Sequence, residues 1–136
     1  MRGIADTGFV VAFANAHDEH HAWAVSLSLR ITEPLLTCEA VLAESAFQLF
    51  SAATTLALVR TGLLKISFEL EDNRAQVEEL ATKYEDRNPD LADLCLIRMS
   101  ELYPEHTLIT VDNDFRVYRR NKREAIPLLL PPVRRR

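Results

Sequence analysis

Thr107-Leu108-Ile109-Thr110-Val111-Asp112-Asn113-Asp114-Phe115 joins the clearest strand signal in the chain to an acidic turn. Five aliphatic or β-branched residues bounded by Asp and Asn have the length and composition of a buried strand. Upstream, residues 71–84 carry Val77, Leu80, Ala81 and Tyr84 on one helical face. Asn88-Pro89-Asp90 then breaks the pattern and starts a helix running to about Tyr103, with Asp93 in its first turn. Downstream, residues 126–130 form a last short apolar strand.

Toward the N-terminus the same alternation recurs. Residues 2–5 are an extended start, and Asp6 stands at the junction with the apolar helical run 8–14. A loop at 15–19, with Asp18 as candidate cap, leads to a helix over 20–30 that Pro34 closes off. Residues 35–37 read as a strand, 39–50 as a helix carrying Glu44, and 54–62 as a helix with Gly62 placed for a left-handed cap. Residues 63–68 read as a strand. Short apolar strands separated by helices predict an α/β fold: a central parallel sheet between helical layers, α/β/α, because parallel neighbours need crossovers that pack back onto the sheet. With 136 residues and no repeat or linker, the expectation is one domain over 1–136 with a basic C-terminal tail.

Composition narrows the function. The three glycines are too scattered for a G-x-G-x-x-G fingerprint or a Walker A loop, both of which bring backbone close to phosphate. Cys38 and Cys95 lie 57 positions apart without a C-x-x-C pair, so they indicate neither zinc nor a disulfide framework and read as small buried hydrophobes in a reducing compartment. His17, His20, His21 and His106 do not make a metalloprotease pattern. No apolar run reaches the roughly 18 residues of a membrane span, and no signal peptide is evident, so a cytoplasmic location without membrane contact is expected. The net charge of −4 divides into −11 over residues 1–115 and +7 over 116–136. That basic end, with Arg116, Arg119 and Arg120 as candidate substrate contacts, can attract a polyanion.

The acids carry the chemistry. In a doubly wound sheet the active crevice lies outside the carboxyl ends of the strands. Asp6 follows the first strand and Asp112 the fourth, while Glu44 and Asp93 lie on helices that can lean over that edge. Taken singly, Asp6 and Asp93 read equally as helix-terminal residues, Glu44 as a solvated one and Asp112 as a turn former. Taken together, carboxylates crowded without a cation repel, and a hard divalent ion, Mg²⁺ or Mn²⁺, relieves that.

Ile4-Ala5-Asp6-Thr7-Gly8, Val41-Leu42-Ala43-Glu44, Pro89-Asp90-Leu91-Ala92-Asp93 and Leu108-Ile109-Thr110-Val111-Asp112-Asn113-Asp114-Phe115 together resemble the PIN-domain ribonucleases, especially VapC-type toxins of toxin–antitoxin pairs. Asp18, His21 and Ala24 match a further stretch common in that family. The resemblance runs through nearly the whole chain, in order. It implies a PIN-like fold and a Mg²⁺- or Mn²⁺-dependent hydrolase of RNA phosphodiester bonds. It also implies that Asp6, Glu44, Asp93 and Asp112 are the catalytic, metal-holding acids, with Asp114, Thr7 and Thr110 as auxiliaries. RNA, a cognate antitoxin and a second copy of the chain are the implied partners, and the apolar stretch 46–58 is a candidate dimer face or antitoxin groove.

Two details depart from the family pattern. Gly8 stands where serine or alanine is frequent, and Asp90 adds an acid three residues before Asp93, where it is better placed to cap the helix than to bind metal. Two other readings compete. A non-catalytic module of the same fold, binding RNA or a protein, would tolerate loss of the acids, and all four are present. A receiver-like phosphoacceptor domain needs a lysine after a late strand, and none follows Asp112 until Lys122.

Overall fold

The computed structural model describes residues 1–133; Arg134 to Arg136, the end of the expected basic tail, lie outside the described residues. Five parallel strands form the central sheet: β1 (Gly3–Ala5), β2 (Leu35–Thr37), β3 (Leu64–Ile66), β4 (Thr107–Ile109) and β7 (Leu128–Leu129), in the order β3-β2-β1-β4-β7. The helices are α1 (Thr7–Ala14), α2 (His21–Ser28), α3 (Glu39–Leu49), α4 (Ala52–Arg60), α5 (Arg74–Lys83) and α6 (Leu91–Leu102). They flank the sheet on both faces in the expected α/β/α layers. Ile4, Leu35, Leu64, Leu108 and Ile109 are fully buried along the strands, as parallel strands covered on both faces require.

Strand order creates the crevice. From β1 the chain moves outward through β2 to β3, then returns to the other side of β1 for β4 and β7. The direction of winding therefore reverses between β1 and β4, and ligand crevices open at such a reversal, outside the carboxyl ends. The β1–β4 register pairs Ala5 with Ile109, so Asp6 and Thr110 leave the sheet side by side. The Asp6 amide donates to the Ile109 carbonyl at 3.0 Å, and the buried Thr37 hydroxyl ties the end of β2 to the Ala5 carbonyl at 3.1 Å.

Helix boundaries follow local chemistry. Ser51 caps α4 by accepting from the Thr54 amide at 3.0 Å, two residues earlier than the sequence pattern suggests, and Gly62 follows with φ +88° as its placement implied. Residues 71–73 form a separate 3₁₀ turn before α5. At Gly8 a Cβ would press on the Val111 side chain, so glycine lets the first turn of α1 close onto the β4 exit.

One element has no precursor in the sequence pattern. Residues 119–125 form an antiparallel hairpin of β5 (Arg119–Arg120) and β6 (Glu124–Ala125), turned through Asn121 and Lys122 at φ 47° and 73°. Its pairing corrects the reading of the basic end. Arg120 is only 5% exposed: its guanidinium donates to the carbonyls of Ser100 and Pro104 at 2.7 and 3.2 Å and pairs with Glu124. It closes the C-terminal end of α6 and does not face a substrate. Arg119 is likewise engaged, donating to the Arg116, Val117 and Tyr118 carbonyls, whereas Arg116 remains exposed.

The aromatic residues of α2, α3 and the α3 C-cap divide. Trp23 packs edge-on against Phe9 with ring centroids 6.1 Å apart, but Phe47 and Phe50 are 78% and 94% exposed. Phe50 ends α3 in a left-handed conformation. Cys38 and Cys95 are free and buried, as their reading anticipated.

Candidate active site

A pocket of about 230 Å³ at the carboxyl ends of β1 and β4 is lined by Asp6, Thr7, Gly8, Glu44, Gln48, Asp90, Asp93, Val111 and Asp112. Each of the four expected principal acids is there, each delivered by a different element. Asp6 is the residue after β1 and the N-cap of α1. Glu44 comes from the middle of α3, which packs against α1 and α6. Asp93 is in the first turn of α6, entered through Asn88 in a left-handed conformation and Pro89. Asp112 ends the β4 exit and caps the 3₁₀ turn Asn113–Arg116.

Hydrogen bonds fix the floor. Asp6, 6% exposed, accepts from the Thr7 amide and from the Thr110 hydroxyl, both at 2.6 Å. The Thr110 oxygen in turn accepts from the Asp112 amide at 3.0 Å, so one hydroxyl couples the β1 acid to the β4 acid. The expected auxiliary role of Thr110 thus has a definite geometry. Thr110→Val should destabilise the protein by about 1–3 kcal/mol, because it leaves a buried carboxylate and an amide short of a partner. Urea unfolding at pH 7 reads this, and a loss below about 0.5 kcal/mol would show the bond to be dispensable.

Thr7 behaves differently. Its hydroxyl is buried beside Glu44 and, among the described residues, completes no hydrogen bond of good geometry. An unpartnered polar atom in a pocket of hard oxygen donors fits a hydrated divalent cation, which would supply the missing partner.

Burial and mutual repulsion hold the carboxyls up. Asp6 is pushed up to about 6, chiefly by burial and further by Glu44 and Asp112, against the hydrogen bonds from Thr110 and Thr7. Asp93 is pushed up to about 7 by burial, then by Asp90 and Asp6. Glu44 is raised by burial and by Asp90. Among the described residues, no Lys, Arg or His lines the pocket to offset this.

The side chains do not close on a single point as they stand. Among the described residues, no group of three or more His, Cys, Asp or Glu is gathered closely enough to hold an ion. The reason is local: each acid is turned to a nearby donor. Besides the bonds of Asp6, Glu44 accepts from the Gln48 amide at 3.3 Å, Asp93 faces the Asp90 amide at 3.4 Å, and Asp112 accepts from the Asp114 amide at 2.8 Å.

Other assignments sort by position. Asp90 is the N-cap of α6, its carboxylate accepting from the Asp93 amide at 2.8 Å, as its spacing suggested, while also lining the pocket. Asp114 is outside the pocket lining, 62% exposed at its side chain, and faces Arg87 at 3.8 Å. His21 is tied by Nδ1 to the Ala12 carbonyl at 2.8 Å, which locks α2 onto α1. Asp18 accepts from the His20 amide at 2.8 Å in the preceding turn. Gln48 is a lining residue that the sequence reading missed, although its place one helical turn after Glu44 puts both on one face.

Comparison with known proteins agrees with this architecture. A family model described as the PIN domain matches residues 4–121. The crystal structure of the toxin VapC20 of Mycobacterium tuberculosis, described as cleaving the sarcin-ricin loop, superposes with a TM-score of 0.72 at 20% identity. The match covers 84% of this chain and 92% of that one. No curated protein matches the chain significantly.

Proposed function

The chain belongs to the PIN domain family, and from that premise we propose that it is a Mg²⁺- or Mn²⁺-dependent ribonuclease acting as the toxin of a toxin–antitoxin pair. The observation that carries the reading is the pocket itself: five carboxylates and an orphaned hydroxyl, without a cation, at the point where the winding of the sheet reverses. A pocket so charged is costly for a module that only binds a protein or RNA, and it is what an enzyme recruiting a divalent ion to a phosphodiester needs.

Asp6, Glu44, Asp93 and Asp112 would hold the ion. When bound, it supplies positive charge that neutralises phosphate and acidifies water. The residues around it provide the frame. Thr110 and the Thr7 amide keep Asp6 in one orientation, and the Asp90 cap fixes the first turn of α6 and with it Asp93. Rigid placement of this kind removes reorganisation from the reaction step. Arg116, exposed on the turn that follows Asp112, remains a candidate RNA contact.

The exposed rings of Phe47 and Phe50, with Leu56 59% exposed on α4, form the apolar surface within stretch 46–58. We assign it to the antitoxin or to a second copy of the chain, since apolar groups clustered on a surface mark association sites. Among the described residues, no helix is long and apolar enough to cross a membrane.

The test is metal titration paired with cleavage. Calorimetry of the metal-free protein should show Mg²⁺ or Mn²⁺ binding that disappears when Asp6→Asn and Asp93→Asn are combined. RNA cleavage should require the ion, stop with EDTA, and vanish in the same double variant. Metal binding unchanged by that variant would remove the site assignment, and folded, metal-loaded protein inactive on all RNAs would leave the non-catalytic reading.

A further inference from the structure

A pocket lined by acids repels the phosphate it must receive, and the lining itself offers no cation. Arg87 lies at the end of the 3₁₀ turn Glu85–Arg87, which leads through Asn88 and Pro89 to the lining acid Asp90 and into α6. Its Nη2 lies 3.8 Å from Oδ1 of Asp114, and the Asp114 amide donates at 2.8 Å to Asp112, a lining acid. Arg87 is thus joined to the pocket lining along two paths. It is linked to one wall by Asp114 and to the other by the chain leading to Asp90 and Asp93.

The arrangement adds little to the fold. A single contact of 3.8 Å between side chains 44% and 62% exposed contributes little stability. Within the basic end, Arg119 bonds to three carbonyls and Arg120 to Glu124 and two carbonyls, while exposed Arg116 bonds to Asn113. The Arg87 guanidinium, by contrast, completes no hydrogen bond among the described residues, and its planar donors suit a phosphate in two-point contact. The left-handed Asn88, φ 47° and ψ 55°, fixes the path of the chain between Arg87 and α6.

We propose that Arg87, oriented by Asp114, takes a backbone phosphate of single-stranded RNA beside the acidic pocket. This rests on the ribonuclease reading above. It also gives Asp114 a different task from the metal-associated one the family pattern implies: a positioning residue for the arginine.

The test measures anisotropy of a short fluorescein-labelled single-stranded RNA with Mg²⁺ in an Asp93→Asn background, which prevents cleavage. Adding Arg87→Gln should weaken binding about tenfold and reduce the magnitude of the salt slope by about 0.7, the value of one single-strand phosphate contact. Arg87→Lys should fall between the two. Arg2→Gln removes the same charge at the amino end of the sheet, where Arg2 pairs with Glu33 and Glu105, and should stay within twofold of the background protein. Equal binding with and without Arg87→Gln, at an unchanged thermal midpoint, overturns the inference and leaves the ribonuclease reading intact. So does an equal loss in Arg2→Gln, which would reveal a general charge effect. If the wild-type protein cleaves no RNA and the Asp93→Asn background binds none, the ribonuclease reading fails and the inference falls with it.

Discussion

Asp93→Asn lowers RNA cleavage by at least 10²–10³-fold, roughly the effect of removing one fixed electrostatic group from a reaction centre, while the metal-free thermal midpoint stays equal or rises. Two properties of Asp93 make these effects opposite in sign. As a pocket acid it would share the ion, so the loss of its charge reaches the reaction directly. As a partly buried carboxyl held up to about 7 by burial, Asp90 and Asp6, it opposes folding when ionised at neutral pH. Asparagine relieves that opposition. It also retains an oxygen able to accept from the Asp90 amide, the long 3.4 Å arm of the α6 capping box, while the shorter bond from the Asp93 amide to Asp90 is untouched. Wild-type protein should gain about 2.7 kcal/mol from Mg²⁺ at a hundred times its dissociation constant, and the variant distinctly less. Thermal melts with and without metal, beside a cleavage assay, read both halves. A metal-free midpoint several degrees lower at neutral pH would make Asp93 mainly a helix cap and remove the physical case for it as a ligand.

In the absence of metal, stability should be greatest in mild acid and fall as the pH rises through 6 and 7. The ordinary value of an Asp carboxyl is 3.8, whereas Asp6 and Asp93 titrate in the folded state at about 6 and about 7. Between those limits the folded protein binds more protons than the unfolded chain, so stability decreases with increasing pH. The contribution is fully present below about 4 and lost by about 7 to 8. For buried Asp6 the shift corresponds to about 3 kcal/mol. Asp93 is more exposed and solvent screening reduces its share, and because the two acids interact their effects do not simply add. Glu44, raised by burial and by Asp90, acts in the same direction, whereas the remaining shifted groups act outside this window or weakly. His106, lowered mainly by burial, gives a small effect of opposite sign, and Glu124, lowered by its bond to Arg120, loses its contribution only at more acidic pH. Urea midpoints from pH 5 to 8 in EDTA test the slope, and Mg²⁺ or Mn²⁺ should flatten it. Stability that rises across this range without metal would show that the acids are not held protonated by their surroundings.

Local pattern was sufficient for the order of the central strands and main helices and for placing four acids at one edge of the sheet. Apolar runs of three to five residues between helices dictate a parallel sheet, because such strands must be covered on both faces. An acid directly after such a run is placed at the sheet's carboxyl edge by chain connectivity alone, as Asp6 and Asp112 are. Asp93 was legible for a similar reason: Asn88-Pro89-Asp90 marks a helix start, and a residue three positions on lies in the first turn. Gln48 was readable in principle from its spacing to Glu44.

Tertiary structure decided what these residues do to one another. The β1–β4 register brings the Thr110 hydroxyl onto Asp6 across 104 positions, and no periodicity encodes that pairing. Burial depth decides that Asp6 and Asp93 rise toward neutrality, whereas sequence shows only that they are acids. The hairpin turns Arg120 inward onto the end of α6, so a run of basic residues that counts as one charged segment divides into a buried cap and exposed cations. Arg87, outside that run, is instead carried to within 3.8 Å of Asp114 by the turn before α6. Periodicity reports which face of an element is apolar. Strand order and register are set by long-range packing, and these determine which polar groups share a desolvated space and therefore change one another's chemistry.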